Sequence, residues 1–106
     1  MIDFCVTVSA DEAAKLIKHH VVNGSITGML TDEYTNSGVT VLVFEKHYYR
    51  AGNRLTLTVV IDSFFGRTHI HAVGGGGGQC LLRFDWGASG SFENCIRDAL
   101  YQYIIQ

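Results

Sequence analysis

The chain has 106 residues, a formal net charge of −2, 47% hydrophobic residues and 17% charged residues. One globular domain spanning 1–106 accommodates that length, the apolar share is too high for disorder, and the charge offers nothing to a phosphate backbone, so no nucleic acid is expected as a partner. No apolar run reaches membrane-spanning length and the opening "MIDFCVTVSADEA" lacks a leader's basic and apolar regions, so a cytoplasmic protein with no membrane partner is expected.

The first segment, "IDFCVTV", alternates Ile2, Phe4, Val6 and Val8 with Asp3, Cys5 and Thr7, and a period of two predicts a half-buried strand. "SADE" at 9–12 matches a capping box, in which Ser9 accepts from the Glu12 amide and Glu12 reaches back. The helix that follows gathers Ala13, Leu16, Ile17 and Val21, joined by His20, on one face. Asn23-Gly24 ends it, with Gly24 suited to the left-handed cap conformation.

"SITGMLTDEY" and "SGVTVLVFEKHYYR" predict a second and third strand, and "RLTLTVVID" a fourth. Gly52-Asn53 reads as a two-residue hairpin turn between the last two. "FFGR" makes the next turn and "THIHAV" the fifth strand. Five glycines follow at 74–78, then "QCLLRFDW", a sixth strand with Cys80, Leu82, Phe84 and Trp86 on one face. "GASGS" leads into a C-terminal helix with Ser91 as N-cap and an apolar stripe of Phe92, Ile96, Ala99, Leu100, Tyr103 and Ile104. The expected fold is α+β in two layers: an antiparallel sheet of about five to six strands with two helices on one face, in the order β-α-β-β-β-β-β-α.

A two-residue turn at Gly52-Asn53 sets Ala51 opposite Arg54. Leu55, Leu57, Val59 and Ile61 then share a face with Leu42, Phe44, Lys46, Tyr48 and Arg50, and that face is assigned to the helices. The other face carries Val39, Val41, Val43, Glu45, His47 and Tyr49, with Thr56, Thr58, Val60 and Asp62. Two helices on one side leave these valines uncovered, and burial against a second copy is the simplest remedy, so a homodimer is expected.

The same register places His47 opposite Thr58, with His71 on the far side of Thr58. His69 and His71 stand about 7 Å apart on one side of their strand. His47, His69 and His71 are therefore the candidate ligand-binding histidines, with Glu45 near. The pattern shows neither a complete ligand set nor an orienting shell, so no metal and no cofactor is assigned.

The glycine run supplies the other candidate residues, Gly75, Gly76 and Gly77. Each ordered glycine costs roughly 0.5–1 kcal/mol against alanine, so the run reads as a flexible connector, with a mobile flap over a ligand as its functional alternative. It is not a phosphate loop, because Gln79 follows where a P-loop has lysine and a hydroxyl residue, and G-x-G-x-x-G finds no fit. "KHYYRAGNR" interleaves aromatic and basic residues, but the acidic balance favours an amphipathic strand end over single-stranded nucleic acid. Cys5, Cys80 and Cys95 are odd in number and lack C-x-x-C, which points to reduced thiols. No serine or cysteine sits in a nucleophile motif, so no catalytic residue is assigned.

The segments "VVNGSITGML", "VFEKHYYRAGNRLTLTVVI" and "GGGGGQCLLRFDW" followed by "SFENCIRDAL" resemble a family of short bacterial proteins known as a domain of unknown function. The resemblance spans most of the chain and implies a bacterial, cytoplasmic setting, with no activity to carry over. The leading expectation is thus a non-enzymatic homodimeric binding or interaction protein. Two alternatives stay open: a binder of small apolar molecules with a pocket between helices and sheet, and a metal-dependent enzyme using the strand histidines.

Overall fold

A computed structural model describes residues 2–24, 27–48, 53–76 and 94–105. Five strands, β1 (Ile2–Val6), β2 (Met29–Asn36), β3 (Val39–Tyr48), β4 (Asn53–Asp62) and β5 (Thr68–Gly76), form one sheet in the order β1-β5-β4-β3-β2, every neighbouring pair antiparallel. Helix α1 (Ala10–Asn23) follows β1, and a short helix α2 (94–99) precedes a 3₁₀ turn at Tyr101–Tyr103. The expected α+β class and element order are present, with five strands among the described residues. The expected strand "QCLLRFDW", Gly77 and the proposed cap Ser91 lie outside those residues.

The topology sets α1 a length. β1 and β2 occupy opposite edges, so the chain must cross the whole sheet between them. Four strand spacings of about 4.8 Å make about 19 Å, and the 14 residues of α1, rising about 1.5 Å each, make about 21 Å. Ser9 starts the helix as expected, its Oγ accepting the Glu12 amide at 3.1 Å. The end differs from expectation. Gly24 is extended (φ −87°, ψ −165°), its amide donating to the His20 carbonyl at 3.0 Å. Glycine is needed there for room, not for a left-handed φ, because an added Cβ would run into that same carbonyl.

Both helices bury their apolar stripes on one sheet face. Ala13, Ile17 and Val21 of α1 and Ile96 of α2, with Leu100 just beyond it, join Leu42, Phe44, Leu55, Leu57, Val59, Ile61, Ile70 and Ala72 in a single buried cluster. The assignment of Leu42, Phe44, Leu55, Leu57, Val59 and Ile61 to the helix side is therefore correct, although the register is not. Phe44 lies opposite Leu57 and Tyr48 opposite Asn53. The β3–β4 connection thus takes in 49–52, and Asn53 belongs to β4. Relative to the expected pairing, partners on β4 are displaced by four residues. An even displacement preserves which side chains share a face.

The two-residue hairpin turn is at Ser37-Gly38, where both residues have positive φ (48° and 92°) between the paired Asn36 and Val39. That is type I′ geometry, which matches the twist of a hairpin. Both sheet edges are modified. β2 carries a bulge between Leu30 and Asp32. Along β1, the C-terminal segment adds a short strip of pairing: Thr7 N–H donates to Tyr103 O and Ile105 N–H to Cys5 O, each at 2.9 Å. Bulges and covered edges limit unwanted strand addition.

The first three glycines of the run belong to β5. Gly74, Gly75 and Gly76 pair with Leu57, Thr56 and Leu55. This corrects the reading of the whole run as a connector: β4 is ten residues long and offers its ladder that far. At Gly75 the reason for glycine is local, since a Cβ would stand 2.9 Å from Thr56 Oγ1.

Candidate functional site

The face of the sheet away from the helices presents alternate residues of each strand: Asp3 and Cys5 from β1, His69, His71 and Val73 from β5, Val60 and Asp62 from β4, Val41 and Val43 from β3, Tyr34 from β2. Three of these strands contribute to one hydrogen-bonded chain. His69 Nε2 lies 2.6 Å from Asp3 Oδ1, and His69 Nδ1 lies 3.1 Å from Asp62 Oδ2. The second oxygen of Asp3 accepts from His71 Nδ1 at 2.8 Å. Register explains the gathering. His71 sits opposite Asp3 and His69 opposite both Cys5 and Asp62, so Asp3 reaches one histidine across and the other diagonally.

Both ring nitrogens of His69 face carboxylate oxygens. A neutral imidazole would turn a lone pair toward one of them, whereas the imidazolium donates to both. Its pKa is accordingly raised, chiefly by the hydrogen bond to Asp3 and then by that to Asp62. The Asp3 pKa is lowered, first by the hydrogen bond to His69 and next by that to His71. The chain holds charge on the sheet surface and ties the edge strand β1 to β5 and β4.

The three candidate histidines do not meet. His69 and His71 share the chain just described, but His47 lies opposite Arg54. His71 lies opposite Val60. The six steps from Arg54 to Val60 span about 20 Å of strand. The physical cause is the four-residue displacement of the β3–β4 register. His47 instead borders a separate hollow of about 200 Å³ with Thr27, Met29, Glu45 and Lys46. Among the described residues, no three His, Cys, Asp or Glu side chains are grouped to hold a metal ion. Gly75 faces Thr56 inside the ladder and Gly76 ends β5. Asp3 and Asp62 were not among the sequence candidates. Their alternation with core residues was visible, but their meeting with His69 depends on β5 lying between β1 and β4.

A second hollow, of about 370 Å³, adjoins the chain and is lined by Cys5, Asp62, Phe64, Phe65, Arg67 and His69. The loop after β4 builds its outer wall, turning at Gly66, whose φ of +78° favours glycine. Phe64 leans on the Ser37-Gly38 turn, within contact distance of a Cβ placed at Gly38. Cys5 is half-buried and Cys95 fully buried, both as free thiols. Desolvation, helped by Asp98, pushes the Cys95 thiol up to about 11, leaving it protonated and inert at neutral pH. Cys80 lies outside the described residues.

Fold and face together define a small two-layer α+β protein in which, among the described residues, both helices pack on the same side of the sheet. The chain belongs to the family of unknown function DUF6054, whose model matches residues 1–104. No curated protein matches it. Among the described residues, no helix is long and apolar enough to cross a membrane.

Proposed function

We propose that the protein is a non-enzymatic binding module that works as a homodimer through the open face of its sheet. The observation that carries this reading is the apolar band at the middle of that face. Val41 and Val60 are directly opposite each other, Val43 follows on β3, and exposed Val73 and Tyr34 extend the band to either side. Neither α1 nor α2 packs there, since both belong to the cluster on the other side. Five strands at about 4.8 Å spacing and about eight residues at 3.3 Å give a face of roughly 650 Å². That is of the order of the ~800 Å² per partner of a stable interface. A second copy brings an identical apolar band, so one symmetric contact covers both.

We prefer this reading to a pocket between helices and sheet because of the packing among the described residues. Ile17, Phe44, Leu57, Ile96 and Leu100 are fully buried and occupy the space between the layers. The free thiols of Cys5 and Cys95 fit a cytoplasmic setting, which is part of the same proposal.

Sedimentation equilibrium at micromolar concentration tests the dimer. Twice the chain mass is expected for the wild type, and the single chain mass for Val60→Glu with its thermal unfolding retained. A wild type that stays monomeric overturns the proposal.

A further inference from the structure

We infer that the hollow between β1 and the 63–67 loop is a binding site for a small aromatic carboxylate. It lies at the end of the sheet where β4 passes to β5. Its volume of about 370 Å³ falls at the low end of ligand pockets, which run from about 300 to 1,000 Å³, so one or two rings fill it.

Its walls are of two kinds. Phe64 is 62% exposed and Phe65 92% exposed, consecutive rings held away from the core. Such rings gain most by covering a flat apolar partner, through offset or edge-to-face contact. Cys5 adds a soft, polarizable surface beside them.

The charges select the polar end. Asp62 is already engaged by His69, and His69 by Asp3 on its other nitrogen, so these groups are satisfied without a ligand. Arg67 lines the same hollow, is exposed, and among the described residues has no carboxylate within ion-pair distance. The charged group left without an ion-pair partner is therefore the Arg67 guanidinium, a planar fork that fits a carboxylate with two parallel hydrogen bonds. A ring system against the phenylalanines with its carboxylate on Arg67 meets both walls at once.

Cys5, Asp62 and His69 of the hollow also belong to the open face, whereas Val60 does not line it, so Val60→Glu separates ligand binding from self-association. 2-Naphthoate is titrated into the full chain, with amide shifts read by NMR and 2-naphthalenemethanol as the uncharged comparison. The acid is expected to bind with a Kd of about 1 mM or tighter, at least about tenfold better than the alcohol. Arg67→Gln is expected to abolish that preference while leaving the alcohol's affinity unchanged. Phe65→Ser is expected to weaken both ligands. Both positions are exposed, and an otherwise unchanged amide spectrum verifies folding. The Val60→Glu chain is expected to bind at least as well. Absence of shifts at residues 63–69 with 2-naphthoate at several times that concentration overturns the inference, as does an Arg67→Gln chain that still prefers the acid.

Discussion

His69 Nε2 lies 2.6 Å from Asp3 Oδ1, although the two residues are diagonal, not opposite, in the β1–β5 pairing. The contact spans 66 residues of sequence and fastens the edge strand β1 to its neighbour β5. Two titrations give it a pH signature. Raised in the folded chain, the His69 pKa contributes stability that is complete below the ordinary value of 6.5 and is lost as pH rises through the raised one. Lowered in the folded chain, the Asp3 pKa contributes stability that is present above 3.8 and is lost as pH falls through the lowered one. The chain of bonds therefore supports the fold best between about pH 4 and about pH 6.5. Thermal unfolding from pH 6.5 upward is expected to show a falling Tm for the wild type and a flatter profile for His69→Gln. Equal slopes would mean the contact contributes nothing in solution.

Gly75 and Thr56 form a testable pair. A Cβ at position 75 would stand 2.9 Å from Thr56 Oγ1, closer than van der Waals contact. Gly75→Ala is expected to cost about 1 kcal/mol in the wild-type chain through this overlap. In a Thr56→Ala background the same change is expected to stabilise by about 0.5–1 kcal/mol, because alanine restricts the unfolded chain more than glycine does. Urea unfolding of the four chains measures the coupling. Additive effects would show that β5 does not continue into the glycines.

Phe44 is fully buried opposite Leu57, in the cluster the helices cover. Phe44→Ala is expected to cost about 3–5 kcal/mol, a large share of the roughly 5–15 kcal/mol by which a domain is stable. Val43→Ala, one residue away on the open face, is expected to change monomer stability by less than about 1 kcal/mol. Comparable losses at both positions would contradict the assignment of the two faces.

Faces were readable from the sequence and connections were not. Leu42, Phe44, Leu57 and Val59 announce their side by strict alternation, and that survives any even displacement of the register. The displacement itself depends on which turn closes the hairpin. Gly52-Asn53 has turn chemistry, yet the ladder stops at Tyr48 and Asn53, and the two-residue turn falls at Ser37-Gly38 instead. The His69-x-His71 pair was visible as a spacing. Its carboxylates were hidden because Asp3 and Asp62 become neighbours of His69 only through the strand order β1-β5-β4. His47 was drawn into that group by the wrong register alone. The glycines misled for a different reason: intrinsic cost argued for a loop, while the length of β4 supplied partners for Gly74, Gly75 and Gly76.

The central claim is that a second copy covers the open face, and intermolecular NOEs test it most directly. A sample mixing ¹³C-labelled and unlabelled chains is expected to show cross-copy contacts from the methyls of Val41, Val43 and Val60 and none from Leu57 or Ile61. A dimer whose contacts arise from the helix side, or a sample with no cross-copy contacts at all, would contradict the account.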